Sequence, residues 1–174
     1  TLNGIIYFKA WDSVDEHFNL WRSDGSESGT TKISNNIAIN TNEYVEVNGE
    51  IYFKAIDNLH GNELWKTNGS LTGVALVKDL SPGHSYISEL TNINNNLYFV
   101  VDDDMQGDEL LKSDGTEIGT TMVKDIRRGN VSSNPSDFTQ VNDTLYFIAQ
   151  NFSQGYELWK SDGTEIGTGL VKDI

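Results

Sequence analysis

The chain has 174 residues, of which 37% are hydrophobic and 22% charged, a composition typical of one soluble domain or a large piece of one. Its formal net charge of −14 argues against nucleic-acid partners and anionic membrane surfaces, because both would repel it. The absence of cysteine excludes disulfides, thiol catalysis and thiolate metal sites, and favours a bacterial source. No apolar run approaches the length of a membrane span, so we expect no membrane insertion.

A Tyr-Phe pair occurs four times, beginning at Tyr7, Tyr52, Tyr98 and Tyr146, with spacings of 45, 46 and 48 residues. Periods near this length are typical of four-stranded propeller blades or of helical repeats. The repeats are rich in β-branched and aromatic residues between Gly and Asn turns, which favours strands. The chain therefore divides into four repeats that form a single repeat domain or part of a larger propeller. Their approximate bounds are 1–43, 44–89, 90–137 and 138–174.

Each repeat predicts four short strands joined by two kinds of tight turn. Strands one and two meet at a two-residue turn such as Asn48-Gly49, whose residues tolerate the positive φ of a type I′ hairpin. Strand three carries a Leu-Trp segment, and an Asp-Gly or Asn-Gly turn leads to strand four. In the first repeat the pattern predicts strands near 5–9, 19–24 and 30–34. Strand one is almost wholly missing there, because Asn3-Gly4 follows the first residues directly.

The apolar pattern predicts sheets that are covered on both faces. Four identical leucines are each followed by a second large apolar residue, in the pairs Leu20-Trp21, Leu64-Trp65, Leu110-Leu111 and Leu158-Trp159. Adjacent strand residues point to opposite faces, so an apolar pair requires burial on both sides. We therefore expect Trp21, Trp65 and Trp159 to be largely buried between neighbouring sheets. The predicted fold is all-β: a β-propeller-type array of four repeats with four-stranded antiparallel blades.

Residues 157–164, ELWKSDGT, followed by GTGLVKDI at 167–174, resemble the bacterial ELWxxDGT repeat family. The resemblance covers essentially the whole chain. It implies a propeller-like fold in a secreted or cell-surface protein, often beside adhesion modules. It implies no enzymatic activity, since the family offers no established catalytic residues to carry over.

Motifs for catalysis are missing from the sequence. It contains neither G-x-S-x-G nor H-E-x-x-H, and its three histidines occupy unrelated positions in different repeats. The Asp-Gly-Thr turn is similar to the Asp-boxes of sialidase propellers, but those enzymes need an arginine cluster, and this chain has only Arg22 and the adjacent Arg127 and Arg128. We predict a non-enzymatic protein. The alternative is part of an extracellular hydrolase whose catalytic residues lie outside these residues.

Calcium is the only cofactor that the sequence suggests. Four oxygen-bearing residues alternate in the third repeat, at Asp102, Asp104, Gln106 and Asp108, with Gly107 available for a sharp turn. This pattern is similar to the first half of a calcium-binding loop. The distal glutamate of such a loop is missing, since position 113 is Ser. A solvated acidic loop is the competing interpretation.

Ligand binding is predicted at ring-bearing residues in or near the connecting loops, namely Trp11, His60, Tyr86 and Tyr156. Their faces could stack on sugars, although packing within a blade would use the same residue types.

The sequence thus favours a structural or adhesive scaffold of a bacterial surface or secreted protein, presenting loops to a protein or glycan partner. A lectin-like propeller is the alternative. Unpaired strand edges also predict self-association of the chain.

Overall fold

The computed structural model describes residues 1–34, 36–81, 85–102, 107–152 and 155–173. These residues form sixteen β-strands, and every strand pairing is antiparallel. No helix that could cross a membrane occurs in these ranges. The prediction of an all-β protein is confirmed.

The chain divides into two compact units, Thr1–His84 and Ser85–Ile174, and each unit contains two of the four sheets. The first unit holds a three-stranded sheet 1 and a five-stranded sheet 2. Sheet 1 consists of β1 (Ile6–Asp12), β2 (His17–Ser23) and β3 (Thr31–Lys32). Sheet 2 consists of β4 (Ala38–Ile39), β5 (Val45–Val47), β6 (Glu50–Asp57), β7 (Gly61–Thr67) and β8 (Val74–Lys78). Both β4 and β5 pair with β6, so these two short strands share one outer position.

The second unit holds two four-stranded sheets, each with its strands in chain order. Sheet 3 consists of β9 (Tyr86–Ile93), β10 (Asn96–Asp102), β11 (Asp108–Ser113) and β12 (Thr121–Lys124). Sheet 4 consists of β13 (Ser136–Val141), β14 (Thr144–Asn151), β15 (Gly155–Ser161) and β16 (Gly169–Lys172). The predicted four-stranded antiparallel sheets are therefore present in this unit. Sheet 1 has three strands, as its missing first strand predicts.

Turn geometry and register are shared among the sheets. Asn48 and Gly49 have φ values of 53° and 80°, as a type I′ turn requires. The phenylalanine of every Tyr-Phe pair lies opposite the second residue of the Leu-Trp segment, in the pairs Phe8–Trp21, Phe53–Trp65, Phe99–Leu111 and Phe147–Trp159. The four Tyr-Phe pairs therefore occupy equivalent places, as predicted.

Strand alternation gives each sheet two different apolar faces. We call the face that carries the Phe and Trp positions the leading face, and the face that carries the Tyr and Leu positions the trailing face. In the first unit the trailing face of sheet 1 packs on the leading face of sheet 2, joining Tyr7, Leu20 and Ile33 to Ile51, Phe53, Ala55 and Trp65. In the second unit the trailing face of sheet 3 packs on the leading face of sheet 4 in the same way, joining Tyr98, Leu110 and Val123 to Leu145, Phe147, Ala149 and Trp159.

The tryptophans of the Leu-Trp segments differ in burial. Trp65 and Trp159 are buried, with 9% and 7% of their surface exposed, because each lies on a leading face that another sheet of its unit covers. Trp21 is only partly buried. It lies on the leading face of sheet 1 and is not part of the core that the described residues of its unit form. The prediction of burial is met by Trp65 and Trp159 and only in part by Trp21.

Candidate functional site

The antiparallel strand order gives each sheet two distinct ends. The Asn-Gly hairpins and the Asp-Gly or Asn-Gly turns lie at one end, which we call the turn end. The loops between the second and third strand of each repeat lie at the opposite end, which we call the loop end. The residues shared by all repeats are concentrated at the turn end, and the variable residues at the loop end.

The shared polar residues of the turn bond mainly to each other, as the fourth repeat shows. The Asp162 Oδ1 atom accepts hydrogen bonds from the Thr164 backbone N–H and hydroxyl, at 2.9 and 2.7 Å. The Ser161 hydroxyl accepts from the Gly163 N–H at 2.9 Å and lies 2.7 Å from the Thr168 hydroxyl. The hydroxyl and backbone N–H of Thr164 lower the pKa of Asp162. These groups satisfy the turn itself, which supports a structural role for the motif.

A glycine later in the turn makes room for this aspartate. A Cβ atom added to Gly167 would overlap the Asp162 carboxyl group. The same overlap would occur between Gly29 and Asp24 and between Gly119 and Asp114. The spacing between the Asp and the second Gly of the motif therefore reflects a steric requirement.

In each unit, a cation and a tyrosine of one sheet contact the turn of the next sheet, and we call these two residues the clamp. The Lys112 Nζ atom donates to the Gly163 carbonyl at 2.7 Å, and the Tyr98 hydroxyl lies where a Cβ of Gly163 would be. The Lys124 Nζ atom adds a bond of 2.7 Å to the Thr168 carbonyl.

The first unit repeats this clamp with different residue types. The Arg22 Nη1 atom donates to the Gly69 carbonyl at 2.5 Å, and the Tyr7 hydroxyl covers Gly69. Sequence reasoning missed the clamp. Its signal was the recurrence of a tyrosine and a cation as cross-strand partners, in the pairs Tyr7–Arg22, Tyr52–Lys66, Tyr98–Lys112 and Tyr146–Lys160.

A buried carboxyl group fixes the connecting segment at the loop end of sheet 3. Glu109 is 1% exposed, and its Oε2 atom accepts from the Ser133 hydroxyl at 2.8 Å and the Ile126 N–H at 3.2 Å. Burial raises the pKa of Glu109 to about 7. Glu63 accepts from the Leu80 N–H at 2.9 Å in the second repeat, so the role recurs. Sequence reasoning missed this residue as well, although the position before Leu-Trp is Glu or Asn in every repeat.

Of the residues predicted to bind a ligand, Trp11, Tyr86 and Tyr156 lie on sheets 1, 3 and 4, and His60 lies in the turn between β6 and β7. Trp11, Tyr86 and Tyr156 are exposed, at 58%, 73% and 60% of their surface. Trp11 packs edge-on against Phe18, with ring centroids 5.4 Å apart. His60 is partly buried, and its Nδ1 atom lies 2.8 Å from the Asp57 carboxylate, an interaction that raises the pKa of the histidine.

The predicted calcium loop is described only in part. Asp104 and Gln106 lie outside the described residues. Asp102 and Asp108 are cross-strand partners where β10 and β11 meet the loop, and burial, together with the charge of Asp102, raises the pKa of Asp108. Within the described ranges, no three His, Cys, Asp or Glu residues form a group that could hold a metal ion. Calcium binding stays a prediction.

A polar cleft of about 410 Å³ lies in the first unit. Its polar lining is Asp15, His17, Asn36, Asp57 and Asn58. The Asp15 carboxylate also bonds to the Lys32 Nζ atom at 2.7 Å and the Asn19 amide at 2.8 Å. This volume is within the range of small-molecule sites, and amide and carboxylate groups could hydrogen-bond a polyhydroxylated ligand.

No protein-family model matches the chain, and no curated protein shows significant similarity to it. The resemblance to the ELWxxDGT repeats therefore stays a prediction.

Proposed function

We propose that this chain is a non-enzymatic, propeller-type repeat scaffold of a bacterial surface or secreted protein, and that the loop ends of its sheets bind a glycan. The observation that carries the proposal is that the polar side chains at the turn end bond within the fold, whereas aromatic side chains at the loop end are exposed to solvent. At the turn end, the shared Asp, Ser and Thr side chains bond within their own turns. At the loop end, the loops between the second and third strands differ among the repeats, and several aromatic side chains are exposed.

The chemistry of the loop end favours an uncharged glycan. In the first unit, Trp11 exposes an aromatic face that suits the apolar face of a sugar, and the cleft lined by His17 and Asp57 offers hydrogen-bonding groups. In the second unit, Tyr86 and Tyr156 expose aromatic faces of the same kind. A net charge of −14 would repel acidic polysaccharides.

The perturbed carboxyl group of Glu109 is better explained by a structural role than by catalysis. A shifted pKa often marks a catalytic acid, but this one is 1% exposed and bonds to the segment that links sheets 3 and 4. A substrate could not reach it without displacing that segment.

Binding of the intact chain to a glycan array would identify the ligand class, and titration calorimetry with the best glycan would then measure affinity. Replacing a contacting aromatic by alanine should weaken binding about tenfold or more. Trp11→Ala, Tyr86→Ala and Tyr156→Ala test the loop end. Ile166→Ala is the matched control, because this residue is 99% exposed at the turn end. Binding to no glycan, or affinity unchanged in all three variants, would contradict the proposal.

We also propose that the loop of 102–108 binds calcium. Asp102 and Asp108 repel each other across the strand pair, and a divalent cation would relieve that repulsion. Calcium should therefore raise the unfolding temperature of the chain, and Asp108→Asn should reduce that rise. Asp125→Asn is the control, since it removes an exposed carboxylate outside the loop. If calcium raised the unfolding temperature of both variants and of the unaltered chain by the same amount, the result would argue against this site.

A further inference from the structure

We infer that the trailing face of sheet 4 binds the leading face of sheet 1 of a second copy of this chain. The reason is that, within each unit, an equivalent trailing face packs on an equivalent leading face. The proposal goes beyond ligand binding at the loop end and does not depend on it.

The apolar part of the trailing face of sheet 4 is more exposed than its equivalents in sheets 1 and 3. Val171 is 44% exposed, whereas its equivalents Ile33 and Val123 are 2% and 4% exposed in the cores of the two units. Leu158 is partly buried, whereas Leu20 and Leu110 have no exposed surface. The sheet that covers those equivalents presents a Phe, an Ala and a Trp from its leading face.

The polar part of the same face carries residues equivalent to those that form the clamp in sheet 3. Tyr146 and Lys160 are cross-strand partners, as Tyr98 and Lys112 are in sheet 3. Lys172 corresponds to Lys124, which bonds to the turn of the next repeat. Lys160 and Lys172 are both exposed. In each unit the equivalent groups hold the turn that contains a glycine with positive φ.

The complementary surface is the leading face of sheet 1. Ile6 is 50% exposed, whereas its equivalents Ile51 and Leu145 are 2% and 1% exposed. Phe8 and Trp21 are partly buried, whereas Phe53 and Phe147 are almost completely buried.

The turn at Gly25 completes this surface. A Cβ added to Gly25 would meet no atom within 4 Å, whereas Gly69 and Gly163 are each covered by a tyrosine hydroxyl. The leading face of sheet 1 therefore has the same kind of apolar residues that a trailing face covers in each unit. Its turn at Gly25 is equivalent to the turns that the trailing face holds there, but it is open.

Charge complementarity favours this pairing. The charge of Lys112 contributes to lowering the pKa of Asp162 in the turn that it holds, so a cation and the turn aspartate are near neighbours in that contact. Lys160 would stand in the same relation to Asp24 of the second copy. The two faces differ from each other, so the contact is heterologous and leaves one face of each kind free for a further contact.

Sedimentation velocity of the intact chain over a range of concentrations tests the inference. We expect reversible association that is weakened about tenfold or more by Ile6→Glu and by Lys160→Glu. Val14→Glu and Arg128→Glu introduce the same changes at exposed positions away from both faces and should leave association unchanged. Circular dichroism would establish that every variant keeps its β structure.

Mixing the two variants distinguishes this contact from any other mode of association. Ile6→Glu retains an intact trailing face, and Lys160→Glu retains an intact leading face. An equimolar mixture should therefore form a one-to-one complex that neither variant forms with itself. A monomeric unaltered chain, association insensitive to both substitutions, or a mixture without complementation would each overturn the inference.

Discussion

Glu109 is a buried ionisable residue whose side chain has a structural role. Its carboxyl group is buried, and its Oε2 atom holds the backbone of the segment that leaves sheet 3. Its Oε1 atom is buried without a hydrogen-bond partner among the described residues. An ionised carboxylate in such a place loses hydration that these two hydrogen bonds only partly replace, and the pKa of Glu109 rises to about 7 as a result.

Replacing Glu109 by Gln should change how stability depends on pH. A raised pKa means that the folded chain binds the proton more tightly than the unfolded chain, so the free energy of unfolding falls as pH rises from about 4.5 to about 7. The glutamine of Glu109→Gln cannot ionise, so the variant should lack this decline. Its free energy of unfolding relative to the unaltered chain should therefore be higher at alkaline pH than at acid pH by up to about 3 kcal/mol.

Urea unfolding of both proteins at about pH 5 and about pH 8 measures the effect. Glu117→Gln is the control, since it removes the same charge from an exposed position in the same repeat. A pH dependence that is the same in Glu109→Gln and in the unaltered chain would show that this group is not responsible.

Gly167 provides a second test at the residue scale, on the packing of the turn. A Cβ at this position would displace Asp162, which would lose its bonds to Thr164. We expect Gly167→Ala to cost about 1–3 kcal/mol, the range for overpacking and for a broken hydrogen bond. Gly169→Ala is a close control because an added Cβ has open space there and Gly169 is the first residue of β16. Denaturant unfolding compares the two, and equal losses would contradict the steric explanation.

Elements of this chain derive their stability from the pairing of unlike faces. A leading face supplies Phe, Ala and Trp, and a trailing face supplies Tyr, Leu and a β-branched residue. Neither face is stable in water by itself, because each exposes large apolar side chains. At the turn end of the same interface, a cation then adds a hydrogen bond to the turn, and a tyrosine covers the glycine of that turn.

Substitution of tryptophans should reveal which faces are covered. Trp159 lies in the core of the second unit, and its indole N–H donates to the Ala149 carbonyl at 3.2 Å. We expect Trp159→Ala to lower the free energy of unfolding by about 3–5 kcal/mol. Trp21→Ala should cost less, because its side chain is only partly buried. Trp11→Ala, at 58% exposure, should change stability by about 0.5 kcal/mol or less. Chemical denaturation would rank the three, and a different order would refute the assignment of covered and open faces.

At the scale of the whole molecule, the dominant property is its negative charge. A net charge of −14 on 174 residues produces self-repulsion that favours the unfolded chain. Salt screens such repulsion over a Debye length of about 8–10 Å at physiological ionic strength. Packing between a leading and a trailing face is short-range and is affected much less.

The unfolding temperature should therefore rise with salt. Between about 20 mM and about 200 mM sodium chloride we expect an increase of roughly 2–4 °C, the shift that about 1 kcal/mol gives in a chain of this size. A chelator in both samples removes calcium, so that any change in the unfolding temperature reports the screening of charge and not calcium binding. Potassium acetate at the same ionic strength should have the same effect, and an unfolding temperature that falls with salt would show that repulsion is not the controlling term.

The sequence by itself determined the local structure of this protein. Four copies of one pattern fixed the strands, the Asn-Gly and Asp-Gly turns and the antiparallel register, because backbone geometry restricts which residues can occupy a left-handed turn. It also determined that both faces of the sheets are apolar, since adjacent strand residues such as Leu158 and Trp159 point in opposite directions.

Only the tertiary structure decided what each apolar and polar residue contacts. The equivalent tryptophans Trp21 and Trp159 look alike in sequence but differ in burial, because burial depends on a neighbouring sheet and not on local pattern. For the same reason the roles of Glu109 and Lys112 were not predicted. Their partners Ile126 and Gly163 lie 17 and 51 residues further along the chain, and a repeat pattern does not specify contacts at that separation.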